Sequence, residues 1–191
     1  MSGILSGVRV VDLTRYIAGP YCGELLADMG AEVIKIEKPG EGEITRTAGP
    51  WKDGISLFFQ ACNRNKKSVT ADMRTPEGLE IAKKLIAKSD VLVENFRAGT
   101  MEKMGLSYEQ VKQINPGIIM VSITGFGQTG PLRDRLAFDG IISAMSGVTR
   151  MEGDHVERSK GPIHDYMAAM YGTMGTILAL YEKRETGKGQ Y

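Results

Sequence analysis

Asp165 is the residue whose type and setting invite chemistry first. It stands between Gly161-Pro162-Ile163-His164 and an uncharged run from Tyr166 to Tyr181. An aspartate there is a good helix N-cap, so a helix should begin at or just after it. A cap is its ordinary use. The same position suits a nucleophile, because a helix dipole favours the carboxylate by about 0.3–1 kcal/mol and keeps it ionised. Six cations, Lys38, Lys66, Lys67, Arg74, Arg97 and Lys103, fall at strand ends or early in loops. Each alone reads as a solvated surface charge; together at one sheet edge they could meet phosphates. His155 and His164 have no cysteine near them, and no metal site is expected.

Alternating elements must position these groups. A β-branched strand over residues 8–13 leads through Thr14-Arg15-Tyr16-Ile17-Ala18-Gly19 to a helix starting near Pro20 and stopping at Gly30, and residues 31–37 read as a second strand. Two strands joined by one such helix require a right-handed parallel crossover, so the chain opens as a doubly wound α/β sheet. Residues 39–50 read as a loop. Strands over 68–72, 90–96 and 117–124 alternate with helices signalled by Thr75-Pro76-Glu77 and by the Ser107 and Gln110 capping box. A helix near 139–146, a polar turn with Glu152, Asp154 and His155, and the helix after Asp165 complete the order. In that last helix Met167, Met170, Tyr171, Met174, Ile177, Leu178 and Tyr181 predict a core-facing stripe. Ala168, Ala169, Gly172, Gly175, Thr176 and Ala179 form a second, small-residue face where something can come close.

Ligands of such sheets gather at the carboxyl ends of the strands, here residues 14–19 and 38–40. Gly125-Phe126-Gly127-Gln128-Thr129-Gly130 spells a dinucleotide fingerprint, yet it runs into Pro131 and charged residues instead of opening a helix, and reads as a turn.

At 191 residues the chain is long enough for one full core. A net charge of +1 argues against a general nucleic-acid or membrane-surface binder. The longest uncharged run is shorter than the ~20 residues of a membrane span. Cys22 and Cys62 are too few for a disulfide scaffold, and the amino terminus lacks the pattern of a signal peptide, so a cytoplasmic location is expected.

Taken together, Leu5-Ser-Gly-Val-Arg-Val-Val-Asp-Leu-Thr14, Ala18-Gly-Pro20, Gly30-Ala-Glu-Val-Ile-Lys-Ile-Glu-Lys-Pro-Gly40, Asn65-Lys-Lys-Ser68, Val93-Glu-Asn-Phe96, Gly125-Phe-Gly127 and Thr186-Gly-Lys-Gly-Gln190 resemble the class III coenzyme A transferases. That family includes formyl-CoA and carnitine CoA-transferases and, as a branch, α-methylacyl-CoA racemases. The resemblance implies a Rossmann-like large domain and a transferase that moves coenzyme A from an acyl-CoA to a carboxylic acid. Acyl-CoA is then a substrate, and no tightly bound cofactor is implied.

By the same resemblance Asp165 is the nucleophile, forming first a mixed anhydride and then an aspartyl-CoA thioester. The CoA contacts would come from Tyr16, Ile17, Ala18, Lys38, Ala71, Asp72, Met73, Arg74, Asn95, Phe96, Arg97, Lys103, Leu136, Ala137, Phe138 and Asp139. The racemase branch carries a histidine at the place of Phe138. Phenylalanine cannot serve as the second acid or base that racemisation needs, so transfer is favoured over an isomerase, with a non-catalytic CoA-binding fragment as a further alternative. The resemblance also implies that residues 1–191 are the N-terminal part of a longer chain, ending in the helix after Asp165 before a smaller second domain. The full-length form would be a homodimer of interlocked chains.

Overall fold

The computed structural model describes residues 3–152, 155–157 and 161–191. Strand β1 (Arg9–Asp12) is followed by helix α1 (Ala18–Asp28) and strand β2 (Glu32–Glu37). Beyond a 3-10 turn at Ile44–Thr47 come the short hairpin β3 (Trp51–Lys52) and β4 (Ile55–Ser56) and helix α2 (Leu57–Asn63). Then follow β5 (Lys67–Thr70), α3 (Pro76–Ile86), β6 (Val91–Glu94), α4 (Thr100–Lys103), α5 (Tyr108–Ile114) and β7 (Ile119–Ser122). The last elements are α6 (Asp139–Met145), the hairpin β8 (Arg150–Glu152) and β9 (His155–Glu157), and α7 (Ile163–Thr186).

Five strands form one parallel sheet in the order β5-β2-β1-β6-β7, with Val10 opposite both Val33 and Val91. The chain walks outward from β1 through β2 to β5, then restarts on the other side with β6 and β7. The doubly wound α/β sheet expected from the sequence is therefore present.

The local signals act as their chemistry requires. Thr75 Oγ1 accepts from Gly78 N–H at 3.1 Å with Pro76 opening α3, and Ser107 and Gln110 form a reciprocal capping box on α5. One face of the sheet (Val10, Val33, Val91, Val93, Ile119) buries against α1 and α7. The opposite face (Val11, Leu13, Ile36, Leu92, Met120) buries against α3, α4 and α5 through Ala82, Ile86, Met101 and Val111. Each such Val, Leu, Ile or Met side chain contributes about 1.5–3 kcal/mol when fully withdrawn from water.

Three expectations are corrected. The loop expected over 39–50 contains the 3-10 turn, and the hairpin and α2 that follow it had no counterpart in the sequence reading, although Ser56 caps α2 by accepting from Phe59 N–H at 3.0 Å. Helix α1 begins at Ala18 rather than Pro20. The third concerns α7. Ala169, Thr173, Thr176 and Ala179 are its buried residues, while Met170, Tyr171, Leu178 and Tyr181 are each more than half exposed. The small face allows the close approach: a Cβ on Gly172 would lie 3.5 Å from Cys22 Sγ of α1 and 3.2 Å from Ile123 Cδ1. The helix packs where it can come nearest, and its large apolar residues face outward. Of the polar turn expected near residue 154, Glu152 and His155 pair across β8 and β9, and Asp154 lies outside the described residues.

Candidate active site

The reversal of strand order lies between β1 and β6, so the crevice beyond their carboxyl ends is where a doubly wound sheet receives a ligand. Here residues 14–17 bridge β1 and α1. Asn95, just past β6, holds them from across the crevice: its carboxamide oxygen accepts from Arg15 N–H at 2.8 Å, and its Nδ2 donates to Arg15 carbonyl oxygen at 2.7 Å. Asp12 Oδ1 accepts from the N–H and hydroxyl of Thr14 at 2.8 and 2.5 Å. Glu43 Oε1 accepts from Tyr16 N–H at 2.9 Å. Tyr16 itself has φ of 68°, in the left-handed region an aromatic residue seldom adopts.

Beneath this loop lies a buried layer of charge. Lys35, 2% exposed, donates to Thr14 carbonyl oxygen at 2.6 Å and sits 2.9 Å from Glu43 Oε2 and 3.7 Å from Asp12 Oδ1. Lys66 donates to Asp12 Oδ2 at 2.8 Å, to Pro20 carbonyl oxygen at 2.7 Å and to Asn63 Oδ1 at 3.0 Å. Burial opposes ionisation of Asp12, yet Lys35, Lys66 and the donors around it hold its carboxyl below the usual range. Glu37 is likewise opposed by burial but accepts from Arg46, Ser68 and Glu43 N–H, which bring it down to about 2.

Beside the loop opens a cleft of about 230 Å³ lined by Leu13, Arg15, Ile36, Lys38, Met104, Phe96 and residues 71–74. It gathers six of the residues anticipated as CoA contacts: Lys38, Ala71, Asp72, Met73, Arg74 and Phe96. Arg15 was missed, because a lone arginine after a strand carries no spacing signal. Two of the cleft's cations arrive already paired. Lys38 donates to Glu41 Oε1 at 2.5 Å, and Arg74 forks onto Asp72 at 2.9 and 2.8 Å, holding that carboxyl down at about 2.

Other anticipated residues lie elsewhere. Arg97 lines a separate hollow with Glu94 and Glu102, and Lys103 is exposed at the end of α4. Ile17 is buried, so its side chain is not open to a ligand. Asn95 spends its polar atoms on Arg15. The six-cation phosphate edge is thus corrected: Lys66 is sealed in the charged layer, and Lys67 pairs with Glu32 Oε1 at 2.6 Å, where β5 and β2 begin rather than end.

Leu136 and Phe138 are exposed, and Ala137 packs so tightly on Gly125 that a Cβ there would come within 2.2 Å of its own. The Phe138 ring meets Tyr16 edge-on at 6.0 Å, joining the 136–139 segment to the first crevice loop.

Asp165 is the third residue of α7, in its first turn, and is not its cap; Pro162 occupies that position. The capping carboxylate belongs to Asp139, whose Oδ1 accepts from His164 N–H at 2.7 Å and Asp165 N–H at 3.3 Å. His164 sits between two hydroxyls, with Ser143 Oγ 3.1 Å from Nδ1 and Ser146 Oγ 2.9 Å from Nε2. Burial, then the Asp139 charge, lift the Asp165 carboxyl to about 6, with His164 pulling the other way. Near neutral pH it is mainly ionised and poorly solvated, which makes a carboxylate more nucleophilic. Tyr21 packs edge-on against Tyr166 at 4.9 Å, α1 opens just past the carboxyl end of β1, and Lys183 near the far end of α7 donates to Asp90, just before β6, at 2.8 Å, so α1 and α7 both run back along the sheet from its carboxyl edge. The Asp165 end of α7 therefore stands beside the Ala18 end of α1, at the crevice.

The chain has counterparts among known proteins. Residues 5–191 match CoA-transferase family III. The chain belongs to that family. Among family III relatives, the succinyl-CoA–D-citramalate CoA-transferase of Chloroflexus aurantiacus is 45% identical over 97% of this chain and 47% of its own length. The human succinyl-CoA:glutarate CoA-transferase is 43% identical over 98% of this chain and 44% of its own. A CAIB/BAIF family protein from Brucella suis superimposes with a TM-score of 0.93 at 43% identity, covering 100% of this chain and 52% of that one. The chain thus spans about half the length of the curated family III relatives it matches.

A larger hollow of about 580 Å³ runs between the outer edge of β7 and α7, from Ile119 to Tyr191, and contains none of the anticipated site residues. Among the described residues no three His, Cys, Asp or Glu side chains form a group able to hold a metal, and no helix is long and apolar enough to cross a membrane.

Proposed function

We propose that the protein to which this chain belongs is an acyl-CoA:carboxylate CoA-transferase with Asp165 as its nucleophile. The observation that carries the reading is the Asp165 carboxylate itself, partly desolvated in the first turn of α7 and set beside the crevice at the strand-order reversal. Its oxygen attacks the donor thioester carbonyl, forming an acyl-aspartyl anhydride and releasing CoA thiolate. The thiolate attacks the aspartyl carbonyl, giving an aspartyl-CoA thioester and the donor's free carboxylate. The acceptor carboxylate attacks that thioester, and the second anhydride is cleaved at the acceptor's carbonyl by the thiolate, which regenerates Asp165. Every step exchanges one activated acyl bond for another, so no external energy source is needed.

Within this reading, Lys38, Arg74 and Arg15 around the 230 Å³ cleft meet CoA phosphates, and Tyr16 with Phe138 flanks the path from the cleft toward Asp165. The relatives named above carry succinyl-CoA with D-citramalate or glutarate in their names, which makes succinyl-CoA the first donor to test, with dicarboxylic acids as acceptors. Racemisation has weaker support: Phe138 has no proton to exchange, and both ring nitrogens of His164 are engaged by serines. The outward apolar residues of α7 support the homodimer of the full-length form as the place where that face is covered.

The test uses the full-length protein, succinyl-CoA and a panel of carboxylic acids. Trapping with hydroxylamine after incubation with acyl-CoA should modify Asp165 and abolish transfer. An Asp165→Ala variant that keeps the wild-type rate would sink the assignment. Exchange of an α-proton into heavy water without any acceptor acid would favour the isomerase instead.

A further inference from the structure

Three consecutive residues, Thr14, Arg15 and Tyr16, belong to neither β1 nor α1, and five of their backbone polar groups are met by side chains, all but the Thr14 N–H by residues distant in the chain. Asn95 takes both groups of Arg15, Asp12 takes Thr14 N–H, Lys35 takes Thr14 carbonyl oxygen, and Glu43 takes Tyr16 N–H. A tyrosine in the left-handed region persists only where its surroundings over-determine it. Glu43 is the group in contact with that residue's N–H, and it is not free to drift. Its own N–H donates to Glu37 Oε2 at 2.7 Å, and its second oxygen faces the ammonium of Lys35 at 2.9 Å.

We propose that the buried Lys35 and Glu43 pair are positioning residues, which hold residues 14–16 in the shape that receives acyl-CoA. This rests on the reading that the loop and the adjacent cleft contact that ligand. The ammonium does what no apolar side chain could: it donates to a carbonyl and lies in ion-pair contact with a carboxylate at once, tying the loop after β1 to the segment after β2. As an ion pair it adds little to stability, since a buried pair replaced by apolar groups of similar volume is often no less stable; what its loss costs falls on the Thr14 carbonyl and the Tyr16 N–H that it holds. Its function is therefore placed in the geometry of the loop. Neither residue approaches the reacting atoms, so the effect belongs to ligand binding and not to the chemical step.

The experiment compares full-length wild type with Lys35→Met/Glu43→Leu, Glu43→Gln and Lys38→Ala, measuring KM for acyl-CoA, kcat and thermal unfolding for each. In the double variant KM for acyl-CoA should rise about 10- to 100-fold, the factor by which an unsupported left-handed residue is depopulated, with kcat within about twofold and melting temperature lowered only by the small cost of the loop groups left unpaired. Glu43→Gln keeps an acceptor for Tyr16 N–H and should raise KM only about three- to tenfold. A wild-type KM in the double variant overturns the proposal, as does a loss of kcat and KM together that tracks a fall in melting temperature. If the double variant does not fold, Glu43→Gln decides alone, and an unchanged KM overturns it. Lys38→Ala separates the two layers: unchanged KM there discards the cleft as the phosphate site, whereas raised KM there with unchanged KM in the double variant discards only the positioning role.

Discussion

Asp139 caps the helix that carries Asp165. Its Oδ1 takes the Asp165 N–H at 3.3 Å and the His164 N–H at 2.7 Å, while its Oδ2 takes the Ser143 hydroxyl at 3.1 Å. One carboxylate thus sets the orientation of the helix end and, by its charge, raises the proton affinity of the second.

The pH dependence of transfer should follow from that coupling. In the full-length enzyme kcat/KM is expected to fall on the acid side with an apparent pKa near 6, as Asp165 takes up its proton. Asp139→Asn keeps an acceptor for the two N–H groups and removes the charge, so the acid limb should move to lower pH while burial stops it reaching the value of a free aspartate. A pH profile that is the same in both proteins refutes the coupling.

Stability should carry the opposite signature. The folded carboxyl of Asp165 titrates near 6 and the unfolded one near 3.8, so the folded state binds the extra proton and stability declines as pH rises between those values. Asp165→Asn removes that penalty. It should stabilise the chain near neutral pH by of order 1 kcal/mol, discounted for the water that still reaches the group, with no gain below about pH 4. Urea unfolding of wild type and variant at both pH values measures it.

Breaking the charged layer from one side should be far costlier than removing a surface pair. Asp12→Leu leaves Lys35 and Lys66, 2% and 3% exposed at the side chain, without their shared carboxylate. A loss of about 3–5 kcal/mol is expected by chemical denaturation. Lys67→Ala, which removes only the exposed pair with Glu32, should cost less than about 1 kcal/mol.

Gly19 should be irreplaceable for binding. A Cβ there would lie 2.4 Å from Thr14 Cβ and 3.0 Å from Asn95 Cγ, both part of the apparatus that holds the loop. Gly19→Ala must push that loop away, and KM for acyl-CoA should rise by about tenfold or more with a smaller change in kcat. An unaltered KM would show that the loop does not meet the ligand.

Much of the frame was readable because its causes are local. Thr75-Pro76-Glu77 and Ser107 with Gln110 start helices through bonds within three residues, and the β-branched runs at β1, β2 and β7 mark strands buried on both faces. The cleft was partly readable too, since a doubly wound sheet gathers ligands at its strand ends, where Lys38 and Arg74 stand. Helix α2 escaped notice because Leu57-Phe58-Phe59-Gln60-Ala61-Cys62-Asn63 is two turns long and too short to establish a period.

By itself the sequence determined the alternation of strands and helices, the parallel sheet, the family, and Asp165 as the carboxylate to watch. Tertiary structure decided which side of α7 is buried, that Lys66 serves the interior while Arg15 lines the cleft, and that Asp139 rather than Asp165 does the capping. The physical reason is range. Caps and periodicities are satisfied within one or two turns of chain, whereas the partners of a buried charge come from anywhere in the fold: Lys66 finds Asp12, and Asp165 finds Asp139. A stripe of large apolar residues likewise records a preference to leave water, but the surface that comes closest is settled only when two helices meet, and at Gly172 and Cys22 the small side won.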